Sequence, residues 1–591
     1  MKKKKLKKIQ IISLFLIKIL LVISLFFMFL NLQQGEDGYS YENTISLLSV
    51  STNENDEVIG ERLIPLNLAI KEGSGEIFIN SNGIIETDTQ LSIRNAKETT
   101  CTLLSLNCNN YDFYFSFTED QLLLEGPSAG AAIGVLVAKT VLGEPISKDI
   151  GITGSLSSGG VIGVVGGIDE KIKLTENFGF DTVIIPELSS YNESIDYDVS
   201  VVKSLDLLEA LEVFDTKIVL ESRELETQNY NLLMKELSDN LCERNDFLID
   251  QLEEIDDNTS LDQLYQQGIT AKNSSYQAEI RESYYSRASF CFGANNNFKS
   301  IEELQKNHTD EELTLLLEEL EILVDDKIID IESSTYLKSI QTLNDFYVWL
   351  ILVDRVYESK EFINNSLELL NSNETNSSLI EPSTIGYAYA KERLITVDLW
   401  EEFIVHQGEK ISFSPTTLTQ TCSALYNEVL LKGKVLDQYD VSIFDESIKS
   451  LEEDITTIGS TPKCIYSSLE LSARIDTVIS SLGVASENSS NFSEKLFSIA
   501  KTRLSMHNED SFPLIPFIYF DYAEELYAQG DYSSSLLYTN YALSFGNLEM
   551  YLYKNPTTSE ILKEGSERFL VHPLFILALL LMLGFLMKTE L

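Results

Sequence analysis

Apolar and polar residues follow three rhythms along this chain. Between residues 63 and 117 the period is two: Leu66, Leu68 and Ile70 share one side of an extended segment, Ile77 and Ile79 alternate again beyond Gly73-Ser74-Gly75, and YDFYFSF at 111–117 repeats the pattern. Alternation at period two marks strands with one buried face, so the first two segments read as a hairpin and the third as a strand that follows a helix over 87–106. The run AGAAIGVLVAKTVL at 129–142 is apolar all round with small residues early, which suits a buried helix pressed closely against a sheet. Short strands at 149–155 and 160–165 around a turn at 157–160, strands at 183–186 and 199–203, and a closing helix at 205–214 complete a mixed α/β unit.

After about residue 216 the period becomes helical. Segments 309–325, 339–357 and 388–406 carry apolar stripes with acidic outer faces. The segment 519–545, with Ala523, Gly530-Asp531-Tyr532 and Ala542, has the spacing of a tetratricopeptide-type hairpin and equally of an ordinary helical one. The third rhythm is none at all: 9–32, after the basic start 1–8, and 569–587, closed by Lys588, are uniformly apolar and long enough to cross a bilayer. No small-x-small site follows the first run before Gln33, so it reads as an uncleaved anchor rather than a cleaved leader.

The fold class expected is therefore an α/β domain at 61–215 followed by a mostly α-helical acidic domain at 216–568, joined through a linker at 33–60 and flanked by transmembrane helices at 9–32 and 569–587. The positive-inside rule places the tails 1–8 and 588–591 in the cytoplasm, making a two-span cell-membrane protein with both domains extracytoplasmic and the bilayer as a partner. Nine Asn-x-Ser/Thr sequons, at Asn192, Asn258, Asn273, Asn307, Asn364, Asn373, Asn376, Asn488 and Asn491, agree modestly with that compartment. So do six cysteines, Cys101, Cys108, Cys242, Cys291, Cys422 and Cys464: an even count permits three disulfides, sequential pairing being the simplest of fifteen connectivities.

The charge balance, 92 Asp+Glu against 44 Lys+Arg for a net −48, argues against a nucleic-acid partner. No Cys-x-x-Cys is present. His406 beside Glu401 and Glu402 lacks the His-Glu-x-x-His spacing and reads as a satisfied helical histidine, so neither metal nor cofactor is expected.

One pair of segments carries chemistry. Glu125-Gly126-Pro127-Ser128-Ala129-Gly130 presents a serine at a helix start, with Pro127 suited to the first helical position and free backbone N–H groups beside Ser128 where an oxyanion forms in acyl transfer. Gly166-Gly167-Ile168-Asp169-Glu170-Lys171 puts a lysine one turn into another helix. The four histidines, His308, His406, His507 and His572, all lie far along the chain, which leaves a lysine kept neutral by desolvation as the base for Ser128.

This pairing resembles the proteolytic domain of Lon proteases. Gly126–Gly130, Thr153-Gly154 and Gly166–Lys171 follow the order and approximate spacing of that family's nucleophile segment, Thr-Gly hairpin and Gly-Gly-x-x-Glu-Lys segment, over roughly residues 60–213. Glu125 stands where the family usually has Asp, and Ser155 where it usually has Glu. The resemblance implies a Ser128–Lys171 dyad supported by Thr153, with Glu125, Gly126 and Ala129 around it, cleaving polypeptides, and a homo-oligomer, a hexameric ring in the family. No Gly-x4-Gly-Lys-Ser/Thr occurs in the 591 residues, so cleavage is expected to be independent of ATP, with the helical half selecting substrates or controlling access near the membrane. The competing reading is a weak or inactive Lon-like domain that serves with the helical half as an extracytoplasmic binding and assembly scaffold.

Overall fold

The fold is known from a computed structural model, which describes residues 41–552 except 53–57, 105, 107, 118–122, 125–127, 219–226, 257–258, 372–378, 407–409, 412–413, 438–440, 458–460, 482–488 and 506–511. A four-stranded sheet, a three-stranded sheet, two two-stranded pairs and four α-helices make up the described residues of the first part. Strands β1 (Tyr41–Thr52) and β2 (Val58–Glu72) run antiparallel, with Tyr41 opposite Ile70 and Val50 opposite Glu61. Residues 41–52, read from the sequence as linker with some strand, are thus an edge strand whose Ile45 and Leu47 enter the core.

The expected hairpin across Gly73–Gly75 does not form. Strand β3 (Ile77–Ser81) leaves β2 and pairs parallel with a strand still to come, giving the order β1-β2-β5-β3. A short strand β4 (Ile84–Ile85) and helix α1 (Thr87–Leu103) supply the crossover that a parallel pair needs, after which β5 (Tyr111–Phe117) inserts between β2 and β3. The glycine turn is held to the start of β5 instead: Asp112 accepts the N–H groups of Ser74 and Glu76, at 2.8 and 3.1 Å. Strand β6 (Leu123–Leu124) pairs with β4.

The second sheet is three parallel strands in the order β11-β10-β7, with β7 at Ile150–Ile152, β10 at Thr182–Pro186 and β11 at Ser200–Ser204. Its central strand is covered on both faces, so its sequence is continuous apolar rather than alternating. Ile184 joins a core shared with helices α2 (Gly130–Leu142) and α4 (Leu207–Val213), while Val183 and Ile185 join a core under α3 (Ile168–Asn177). Between α2 and α3 a small hairpin, β8 (Ser155–Leu156) and β9 (Ile162–Gly163), folds around a tight turn at 158–160.

Fourteen described helices follow: α5 (Gln228–Ile249), α6 (Ser260–Ile280), α7 (Tyr284–Gln305), α8 (Asp310–Ile331), α9 (Ser334–Ser339), α10 (Leu343–Asn371), α11 (Ile380–Glu401), α12 (Pro415–Asp437), α13 (Asp445–Thr457), α14 (Thr461–Ser481), α15 (Ser489–Leu504), α16 (Leu514–Ala528), α17 (Tyr532–Gly546) and α18 (Leu548–Leu552). They pack largely as neighbours, α6 on α7, α10 on α11 and α16 on α17. In α10 every residue from Phe346 to Val353 is buried, so this helix is the axis of the helical core. Disulfides join Cys101 to Cys108 beneath β5, Cys242 to Cys291 across α5 and α7, and Cys422 to Cys464 across α12 and α14.

The fold class and location read from the sequence need correction. Both expected spans, 9–32 and 569–587, fall outside the described residues, and no helix among the described residues is long and apolar enough to cross a membrane. The physical reason is visible in α10: its apolar run is bounded by Asp345 on one side and by Asp354 and Arg355 on the other, which suits a protein core and not a bilayer. The architecture the structure supports is mostly helical with a small sheet region. Flanking transmembrane helices, the two-span topology and the bilayer as partner are not supported.

Candidate active site

Helix α2 is almost entirely buried, and glycines set how closely it approaches its surroundings. A Cβ on Gly130 would lie 2.6 Å from the backbone nitrogen of Leu156, so β8 crosses directly over the first turn of the helix. Ser128 sits two residues before that turn, half-buried, and Ala129 is the capping residue. Pro127, with Glu125 and Gly126, lies outside the described residues.

The Thr153-Gly154 step, just past the carboxyl end of β7, grips the serine. Gly154 N–H donates to the Ser128 carbonyl at 3.0 Å and the Thr153 hydroxyl donates to the same oxygen at 3.3 Å. In return the Gly154 carbonyl accepts from Ala131 N–H at 2.9 Å, so this helix-start donor is occupied rather than free. Thr153 is buried and its own N–H donates to Ile184 of β10 at 3.0 Å. Gly154 has φ +149°, and a Cβ there would lie 2.3 Å from Ile162 Cγ2, so only glycine suits this crossing.

Lys171 reaches the same end of the parallel sheet from the other face. Gly167, in the left-handed region at φ +69°, starts α3, and Lys171 N–H donates to its carbonyl at 2.9 Å. Helix α3 runs antiparallel to the strand β10 that follows it, so its first turn lies at the carboxyl end of the strands, where open α/β sheets place their ligands. Lys171 is 4% exposed, and its side chain has no hydrogen bond or ion pair among the described residues. Burial lowers its ammonium pKa to about 8, against the opposing pull of the neighbouring Glu170. Asp169, on the outer side of the same turn, accepts from Asn192 N–H and from the Tyr197 hydroxyl, at 2.8 and 3.1 Å, and so ties down the loop after β10.

The structure thus brings Ser128, Thr153 and Gly154 into direct contact and places Lys171 on the same sheet edge. No hydrogen bond joins Ser128 Oγ to Lys171 Nζ. His406 is not helical: it follows α11 at φ +54° and bonds Asp345 rather than Glu401, its Nδ1 3.0 Å from Oδ2. Among the described residues no cluster of three or more His, Cys, Asp or Glu could hold a metal.

Sequence reasoning did not find the contacts that hold the β8–β9 hairpin. Arg503 of α15 donates from Nε to the Gly159 carbonyl at 3.0 Å and again from its other nitrogen. Burial drops the guanidinium to about 9, against the attraction of Asp206, which caps α4 by accepting Glu209 N–H at 2.8 Å. Lys495 pairs with Glu187 at 2.8 Å, and Val161, Val164 and Leu205 are buried in cores shared with the helical half. Sequence separations above 300 leave no local pattern to read.

Residues 86–216 match the family described as the Lon protease C-terminal proteolytic domain. This segment is a Lon-type proteolytic domain. It is similar to an archaeal Lon protease of Methanocaldococcus jannaschii, 35% identical over 112 residues that make up 19% of this chain and 17% of that protein. It also resembles Lon proteases of Paraburkholderia phytofirmans, 25% identical over 28% of this chain and 22% of the relative, and of Orientia tsutsugamushi, 28% identical over 27% and 23%. The chain spans about a fifth of the length of these curated relatives. The Lon-type segment begins at the crossover helix α1 and ends just after α4, so β1 to β4 and the helical half lie outside it.

Proposed function

We propose that this chain is a serine peptidase acting on polypeptides, with Ser128 as nucleophile and Lys171 as general base. The observation that carries the reading is Lys171 itself: a buried lysine, unpaired among the described residues, in the first turn of α3, at the end of the sheet where the Thr153-Gly154 step holds Ser128. Neutral Lys171 takes the Ser128 proton, Oγ attacks the peptide carbonyl, and backbone N–H groups flanking Ser128 receive the oxyanion. Lys171 then protonates the leaving amine, and water releases the acyl group. No nucleotide takes part in these steps, and the proposed cleavage is ATP-independent.

The test uses the full chain with casein and no nucleotide. Wild type should cleave, Ser128→Ala and Lys171→Ala should not, and the rate should climb with pH to a plateau above about 8 as Lys171 loses its proton. Cleavage that survives either substitution would refute the dyad. A second reading, a scaffold that binds without cleaving, is favoured by the occupied Ala131 N–H. It requires a folded wild type that cleaves nothing.

A further inference from the structure

A large, partly open cavity of about 1120 Å³ lies inside the helical half, lined from α5, α7, α10, α11, α13, α14, α16 and α17. Its walls are aromatic. Tyr519, Tyr522, Tyr538 and Tyr541 form a contiguous patch with ring centroids 4.6 to 5.9 Å apart, and Tyr285 continues it to Trp400, 6.4 Å away. A cavity of this size exceeds what drug-sized ligands fill, and aromatic walls with a few placed charges are the usual make-up of a ligand site.

The charges are unevenly matched. Each cation of the lining has company already. Arg393 is ion-paired to Glu358 and stacked on Phe292, 4.7 Å from the ring. Arg474 pairs with Glu470 at 2.6 Å and donates to the Tyr541 hydroxyl at 3.0 Å. Arg355 lies 5.3 Å over the Trp400 ring and Lys463 lies 5.0 Å over that of Tyr357. One carboxylate set among the rings is left over. Asp354 of α10 lines the cavity, half-buried, and among the described residues accepts no hydrogen bond and makes no ion pair, although it feels the charges of Arg355 and Arg393. Burial, followed by the negative charges of Glu358 and Glu470, holds its carboxyl well above the usual range. It is close enough to Tyr285, Tyr466 and Tyr519 to act on their hydroxyls electrostatically. Asn296 also lines the cavity, with an amide oxygen that accepts nothing, and Glu361 and Glu446 line it from exposed positions. Arg355 Nε and Arg393 Nε also lack a hydrogen-bond partner among the described residues, so the surplus is of negative charge alone: Asp354, Glu358, Glu361, Glu446 and Glu470 face four cations, among ring faces that attract a fifth.

We propose that this cavity binds an organic cation, a guanidinium or alkylammonium group, with Asp354 as its counter-charge and the tyrosine rings as its walls. The cation is either a basic side chain of a polypeptide or a free polyamine, and both offer the donors that Asp354 and Asn296 lack. The site is independent of the Ser128 chemistry, so its test reads binding alone.

The full chain carrying Ser128→Ala is titrated at pH 8 with tetra-arginine amide, spermidine and tetraglutamate. Two reporters are used, heat and tryptophan fluorescence, the latter because Trp400 lines the cavity and Trp349 is the only other tryptophan. Saturable binding of either cation, weakened roughly tenfold or more by Asp354→Asn and restored by Asp354→Glu, supports the proposal; that margin is what loss of one charged hydrogen bond produces. Preference for the peptide identifies a polypeptide source, and preference for spermidine a polyamine. Equal binding of tetraglutamate, no binding of either cation, or binding unchanged by Asp354→Asn with its circular dichroism intact would overturn it.

Discussion

Replacing Lys171 by methionine keeps most of the side chain's volume and removes a charge that its surroundings do not match. The ammonium pKa, ordinarily 10.5, falls to about 8 in the fold. At about 1.4 kcal/mol per unit, the protonated lysine costs the native state about 3 kcal/mol. Between pH 8 and 10.5 the unfolded chain binds more protons at this residue than the folded one, so native stability rises with pH through that window. Below pH 8 the cost is fully present, and above 10.5 it is gone. Lys171→Met should therefore unfold at higher urea than wild type at pH 7, by a margin approaching about 3 kcal/mol, and lose the advantage near pH 10.5. Circular dichroism in urea at the two pH values measures it. Lys173→Met, two residues on and exposed, is the control and should show neither effect. A Lys171→Met protein no more stable than wild type at pH 7 would refute the reasoning, because the lysine would then have a partner or water that the buried position denies it. The same substitution should abolish casein cleavage, so gain in stability and loss of activity would appear together.

Other perturbations read other parts of the site. Gly154→Ala forces a side chain into contact with Ile162 at a backbone angle that favours glycine, and should lower casein cleavage by roughly tenfold or more along with the melting temperature. Arg503→Met removes the charged donors on the Gly159 carbonyl, a loss of about 1.5–3 kcal/mol, and should speed amide hydrogen exchange across 155–163 before it affects the distant helices. Opening the Cys242–Cys291 bridge with a double Ser substitution frees a 49-residue separation and should cost about 4 kcal/mol by chain entropy, measured as a lower urea midpoint.

What could be read in the sequence is what depends on neighbours in the chain. The buried helix after Ser128, the alternating β5, the turn at 158–160 and the Gly167 start of α3 all rest on local periodicity or on a glycine that local geometry demands. Pairing did not follow from adjacency. The segments 66–70 and 77–79 have the pattern and turn of a hairpin, yet β5 inserts between them because its YDFYFSF face completes the same core. The stripe read over 339–357 likewise falls short of what forms, since every residue from Phe346 to Val353 of α10 is buried and the helix has no outer face there. The candidate residues Ser128, Thr153 and Lys171 were visible as motifs. The pinning of their hairpin by Arg503 was not, because nothing near Gly159 in the chain announces a guanidinium from α15.

That last contact has a consequence for how the molecule is made. Gly159 and Arg503 are 344 residues apart in the chain. At typical synthesis rates the ribosome needs roughly 20 to 70 s to travel that distance. Through that interval the sheet around Ser128 can form while the β8–β9 hairpin, which follows directly on Thr153 and Gly154, lacks its outer support. The nascent chain thus folds this hairpin first without its clamp, and the contact forms only after α15 has left the ribosome.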